Sequence, residues 1–200
     1  MRQEAEEKRI LEQERKKIEK EEEKYLKEIN SNKELLSKET DLDKIAALEA
    51  RLKELEQQVE KIEEQKEEIV KRANGKAGYV YVISNIGSFG DNMFKVGMTR
   101  RLNPLDRIDE LGDASVPFKF DIHAMVFSDD AVGLEQKMHQ TLEANRVNKI
   151  NLRKEFFYSD IEKLESIIQA IDPTVEFTTT MKALEYRQSQ SIKDEEMQTI

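Results

Sequence analysis

The groups best suited to chemistry fall in three short stretches: Tyr79 and Tyr81 in GYVYV, Lys95 in KVGMT with Arg100, Arg101 and Arg107 after it, and Glu135 with His139 in LEQKMH. Glu135 and His139 are four residues apart, so on a helix they share one face, where an imidazole can orient a water or pass a proton beside a carboxylate. A tyrosine titrates near pH ~10, so a phenol used as a base needs a neighbouring metal or cation to lower its pKa or share the task. Lys95, expected on the same sheet face as Tyr81, is placed to supply that charge. Cations cluster twice, as Lys95, Arg100, Arg101 and Arg107 and as Arg146, Lys149, Arg153 and Lys154. Such patches suit phosphate. The sequence holds no cysteine, which excludes a disulfide framework or a cysteine-based zinc site and leaves oxygen or histidine to hold any metal. Gly87 and Gly90 lack the spacing, lysine and following helix of a phosphate loop.

These groups need a scaffold, and the segment from Gly78 supplies one. YVYVI alternates, with Tyr79, Tyr81 and Ile83 on one face and Val80 and Val82 on the other, and MFKVGMT is the returning strand of a hairpin. Pro104 opens a short helix through Leu111. PFKFDIHAMVF predicts a third strand with Phe118, Phe120, Ile122, Ala124 and Val126 on one face. Residues 130–145 predict a helix with Ala131, Leu134, Met138 and Leu142 as its apolar stripe. RVNKINLRKEFFY reads as a basic loop entering a short strand or turn, and Ile161 to Ile171 as a closing helix. The expected fold is α+β over 78–171, a small three-stranded antiparallel sheet flanked by helices. Residues 172–200 read as a polar tail.

Residues 1–72 contain neither Gly nor Pro, and Ile45, Leu48, Leu52, Leu55, Val59, Ile62, Lys66 and Ile69 keep a 3-4 spacing. This predicts a coiled coil, with Lys44 facing Glu49 and Arg51 facing Glu56 across a parallel homodimer. Thr40 and Asp41 in SKETDLDKI stand where a helix would be capped. The coil can therefore break near 37–43 and fold back as an antiparallel hairpin instead. Met1 leads straight into charged helix, which raises the expectation of a longer protein. The first residues, MRQEAEEKRI, lack the apolar stretch of a secretion signal, and no run approaches a membrane span. With no cysteine in the chain, the expected location is the cytoplasm. The formal net charge of -9 argues against a uniformly basic nucleic-acid binder, so the distribution of cations matters more than their sum.

In their order, Val80-Tyr81, KVGMT, Arg107, LEQKMH and KEFF resemble the GIY-YIG nuclease superfamily, most of all its phage-type branch, over roughly residues 78–160. The resemblance implies hydrolysis of phosphodiesters with one divalent metal, Mg²⁺ or Mn²⁺, held chiefly by Glu135 with positions left for water and phosphate oxygens. It implies that Tyr81 takes a proton from the attacking water or assists in doing so, and that Arg107 stabilises charge on the phosphoryl oxygens. Lys95 replaces the second tyrosine of the family name, which leaves the identity of the base open, with Tyr79 in reserve. Arg100, Arg101 and Lys154 are expected on the nucleic-acid backbone. The family's late asparagine falls on Asn148 or Asn151, and Glu155 matches the branch motif. His123, with no such partner, is expected to be structural.

The expected function is therefore a DNA endonuclease on a coiled coil, with defence against foreign DNA implied by analogy. The alternative is a nucleic-acid-binding or scaffold module that has lost cleavage, favoured by the tyrosine-to-lysine change at position 95.

Overall fold

Thr40 and Asp41 do interrupt the charged helix. The computed structural model describes residues 2–198, which fall into two units with the boundary between Gly75 and Lys76. In the first, helix α1 (Arg2–Leu36) and helix α2 (Leu42–Asn74) are joined by a turn in which the Asp41 carboxylate accepts from the backbone N–H groups of Asp43 and Lys44. The two helices pack on each other: Ile29, Leu52 and Leu55 are buried, with Tyr25, Leu36 and Val59 against them. Ion pairs link Arg51 to Glu28, Lys33 to Glu56 and Lys66 to Glu22. Rising numbers on one helix meet falling numbers on the other, so the hairpin is antiparallel. Arg51 and Glu56, expected to face a partner chain, are thus engaged within one chain, and Lys66 in the apolar stripe finds a carboxylate.

The second unit is α+β. Strand β1 (Gly78–Ser84) leads through a single turn of helix, α3 (Ile86–Phe89), to strand β2 (Met93–Thr99) and helix α4 (Leu105–Ser115). Strand β3 (Asp121–Ser128), helix α5 (Ala131–Leu142), strand β4 (Phe156–Tyr158), helix α6 (Ile161–Ile171) and helix α7 (Leu184–Gln198) complete it. The sheet has four antiparallel strands in the order β3-β1-β2-β4, one more than expected. The added strand is three residues long and is the end of the KEFF stretch, too short to show a period of two.

One face of the sheet carries Val80, Val82, Phe94, Val96, Ala124 and Val126, packed against Ala131, Met138 and Leu142 of α5 and Leu164 and Ile168 of α6. The other carries Tyr81 and Ile83 against Ile108 of α4, with Phe120, Ile122 and Met125. The expected single face of β3 is corrected here. Register shifts between Val82 and Ile83, which pair with Ala124 and Ile122, so His123 is the extra residue of a bulge. Ala124 and Val126 consequently face α5, while Phe120 and Ile122 face α4. His123 itself is buried, donates from Nδ1 to the Thr178 carbonyl at 2.6 Å and accepts at Nε2 from the Ser84 hydroxyl at 2.8 Å. Burial holds its pKa below the usual value, in keeping with a structural role. The segment read as a polar tail lies on the domain, with Val175, Phe177 and Met181 against the main core and the Tyr186 ring 5.4 Å from Phe118. Among the described residues no helix is long and apolar enough to cross a membrane.

Candidate active site

Register places the chemistry. Tyr79 pairs with Thr99, Tyr81 with Gly97 and Ile83 with Lys95, so these residues form cross-strand rows on the α4 side. Tyr81 is 1% exposed. A β-carbon at Gly97 would lie 2.6 Å from its hydroxyl oxygen, so the glycine of KVG is what admits the ring. Arg107, from α4, hydrogen-bonds the Tyr81 hydroxyl. Burial raises the phenol well above its ordinary pKa, and Arg107 opposes that rise, while Glu155 and Glu135 reinforce it. The cation acting on Tyr81 is thus Arg107, a correction to the expectation that Lys95 supplies it.

Lys95 is engaged elsewhere. Its Nζ lies 2.7 Å from Glu155 Oε2, in a pair whose side chains are 9% and 16% exposed. Both charges act on Glu135. Burial of that carboxyl, reinforced by Glu155, raises its pKa to about 7, against the lowering effects of Lys95, a hydrogen bond from the Met98 N–H and Arg100.

The edge of β2 explains how α5 is held. Along β2, strand β4 pairs with Met93, Phe94 and Lys95 and stops there. Beyond it, the Val96 N–H donates to the Glu155 carbonyl at 3.1 Å, His139 Nε2 donates to the Val96 carbonyl at 2.9 Å, and Glu135 accepts from the Met98 N–H. Glu135 and His139 of LEQKMH therefore continue the ladder that the short strand abandons, which satisfies edge groups of β2 left without a strand partner. A carbonyl only accepts, so Nε2 carries the proton, and burial lowers the His139 pKa toward the neutral form.

The remaining candidates are used differently. Tyr79 packs its ring edge-on against Phe127 at 5.2 Å. Arg101, expected on a nucleic-acid backbone, is buried and bound to Glu110, which also lies 3.3 Å from Arg107 Nη1. Burial pushes the Glu110 carboxyl up, but Arg101 and Arg107 outweigh it and leave the pKa lowered. Glu110, which braces both arginines, was not singled out in the sequence, although its i+3 spacing from Arg107 is a readable signal. Asn148 Oδ1 accepts from the Ile150 and Asn151 N–H groups, and Asn151 Oδ1 from the Arg153 N–H. Both asparagines thus shape their own loop, as this residue type commonly does. Lys154 is exposed, whereas Arg100 is buried within the influence of Glu135.

Tyr81, Lys95, Arg100, Arg107, Glu135 and Glu155 thus form one electrostatically connected neighbourhood on β1, β2 and the residue after it, α4, α5 and the approach to β4. Residues 78–172 match the T5orf172 domain family. T5orf172 is a phage-associated domain found in nuclease-type proteins. The T5orf172 match opens at the first residue of β1 and closes one residue beyond α6, so it encloses the whole neighbourhood. No curated protein and no solved structure was found to match the chain.

Proposed function

We propose that residues 78–172 form a nuclease head of the GIY-YIG kind that hydrolyses DNA phosphodiester bonds with a divalent cation, Mg²⁺ or Mn²⁺, held by Glu135. The observation that carries this reading is the buried Tyr81 hydroxyl set against Gly97, with the Arg107 guanidinium and the partly buried carboxyls of Glu135 and Glu155 within its electrostatic reach. The donor set fits such an ion. A carboxyl whose pKa burial lifts to about 7 gains most from a cation when it ionises, and Mg²⁺ commonly takes one or two protein carboxylates and keeps waters. Held by Glu135, such an ion would supply Lewis acidity toward phosphoryl oxygens and acidify water.

The chain's own groups divide the remaining work. Arg107, braced by Glu110, offers its guanidinium to the charge that grows on the phosphoryl oxygens. Burial favours the protonated form of Tyr81, whose hydroxyl is placed to orient the nucleophile. His139 positions Glu135 by holding the same strand edge. Lys95 neutralises Glu155, which would otherwise raise Glu135 further. Defence against foreign DNA fits the phage-associated match.

Incubation of the purified chain with plasmid under Mg²⁺ or Mn²⁺ tests the reading, with parental cleavage and a silent Glu135→Ala variant expected. Equal behaviour of the two sinks it. A second reading, a DNA-binding module without cleavage, is favoured by the high pKa of Tyr81 and the engagement of Lys95 with Glu155. Salt-sensitive DNA retention without cleavage would support it. Homodimerisation through the α2 stripe competes with the intrachain hairpin, because both arrangements use Leu52, Leu55 and Val59.

A further inference from the structure

The loop between Arg146 and Glu155 exposes apolar side chains that no packing need explains. Ile150 is 97% exposed and Leu152 58%, although an aliphatic side chain is stabilised by leaving water. The loop that carries them is built. The Val147 N–H donates to the Phe156 carbonyl at 2.9 Å, Asn148 accepts from the Ile150 and Asn151 N–H groups at 3.1 and 2.8 Å, and Arg146 Nη1 donates to the Leu152 carbonyl at 3.1 Å. Arg146 also lies 4.7 Å over the Phe157 ring, anchoring the base of the loop to the core. Between Val147 and Lys154 there are three exposed cations, Lys149, Arg153 and Lys154, and no acidic residue, in a chain of net charge -9. The next residue is Glu155, the partner of Lys95.

We infer that this loop is a wedge for duplex DNA: Ile150 and Leu152 enter a groove and press between bases, while Lys149, Arg153 and Lys154 lie on the flanking phosphates. Aliphatic wedges held by neighbouring cations are a general means of unstacking a base step and bending a duplex. Three cations without a carboxylate complement the phosphates that flank such a step. The inference rests on the proposed phosphodiester site only for its location.

The test uses the full chain carrying Glu135→Ala, so that the probe is not cut, and a duplex containing 2-aminopurine. Binding is expected to raise the probe's fluorescence. Adding Ile150→Ala with Leu152→Ala should abolish that rise and weaken binding about tenfold, with the salt dependence and the thermal melt unchanged. Adding Lys149→Ala with Arg153→Ala should instead keep the rise at saturation and reduce the salt slope by about 2, roughly one per cation removed. The wedge is overturned if the apolar double variant binds and unstacks as its background does, or if the background neither binds nor unstacks the duplex. The first result would leave Ile150 and Leu152 to a protein partner. Plasmid cleavage by the chain with Glu135 intact keeps the two ideas apart: cleavage without unstacking removes only the wedge, and unstacking without cleavage removes only the nuclease reading.

Discussion

The Tyr81 hydroxyl lies over Gly97 on the neighbouring strand, 2.6 Å from where a β-carbon would stand. A glycine here is therefore a requirement of the tyrosine's position, and the ring, 1% exposed, has nowhere to retreat. Gly97→Ala should destabilise the domain by about 1–3 kcal/mol and break the Tyr81–Arg107 hydrogen bond. Urea denaturation checks the first effect. An unchanged midpoint would mean that the two strands yield more readily than their packing indicates.

Lys95 and Glu155 act on Glu135 with opposite signs, so their removal should move it in opposite directions. Lys95→Gln takes away a lowering charge and should drive the Glu135 pKa above about 7, whereas Glu155→Gln takes away a raising one and should bring it down. Carbon-detected NMR titration of the glutamate carboxyls follows both. Shifts of the same sign would show that the pair does not govern Glu135.

Much of this was readable in the sequence because the signals are local. The alternation of YVYVI and MFKVGMT gave the central hairpin, and Asp41 gave the break between α1 and α2. The bulge at His123 was hidden because PFKFDIHAMVF alternates without interruption, and only pairing with β1 reveals that the period slips. The inward turn of Arg101 depends on Glu110, nine residues away on another element. Asn148 and Asn151 looked like ligand contacts because the same side chain that binds a substrate also closes a turn. Glu155 carried no derivable role until its partner across the β2–β4 edge was known.

Linkage gives the metal-free domain a specific pH dependence. Glu135 binds its proton more tightly folded than unfolded, so its contribution is fully present below the unfolded value of 4.5 and is lost as pH rises through about 7. The loss is on the order of 3 kcal/mol. His123 and His139, whose pKa values are lowered, work the other way, their contribution being present above the unfolded value and lost as pH falls through the folded one. The difference between parent and Glu135→Gln isolates the carboxyl. The variant should gain on the parent between pH 4.5 and 7 in denaturation without divalent ions. A difference independent of pH would remove the buried-carboxyl account.

The hairpin predicts a monomer. Since α1 covers Leu52 and Leu55 and pairs its charges with Arg51, Glu56 and Lys66, sedimentation of the chain should give the mass of one copy over a wide concentration range. A concentration-dependent dimer would instead favour the parallel coiled coil that the heptads also permit.

The most direct measurement is the rate of duplex cleavage under Mg²⁺ by parent, Glu135→Gln and Arg107→Ala. Removing the proposed ion ligand should cost at least about a hundredfold, and removing the guanidinium should cost about 10²–10³, both with circular dichroism unchanged. Cleavage by Glu135→Gln at the parental rate would contradict the account, because the neighbourhood of Tyr81, Arg107, Glu135 and Glu155 would then not be where the bond is broken.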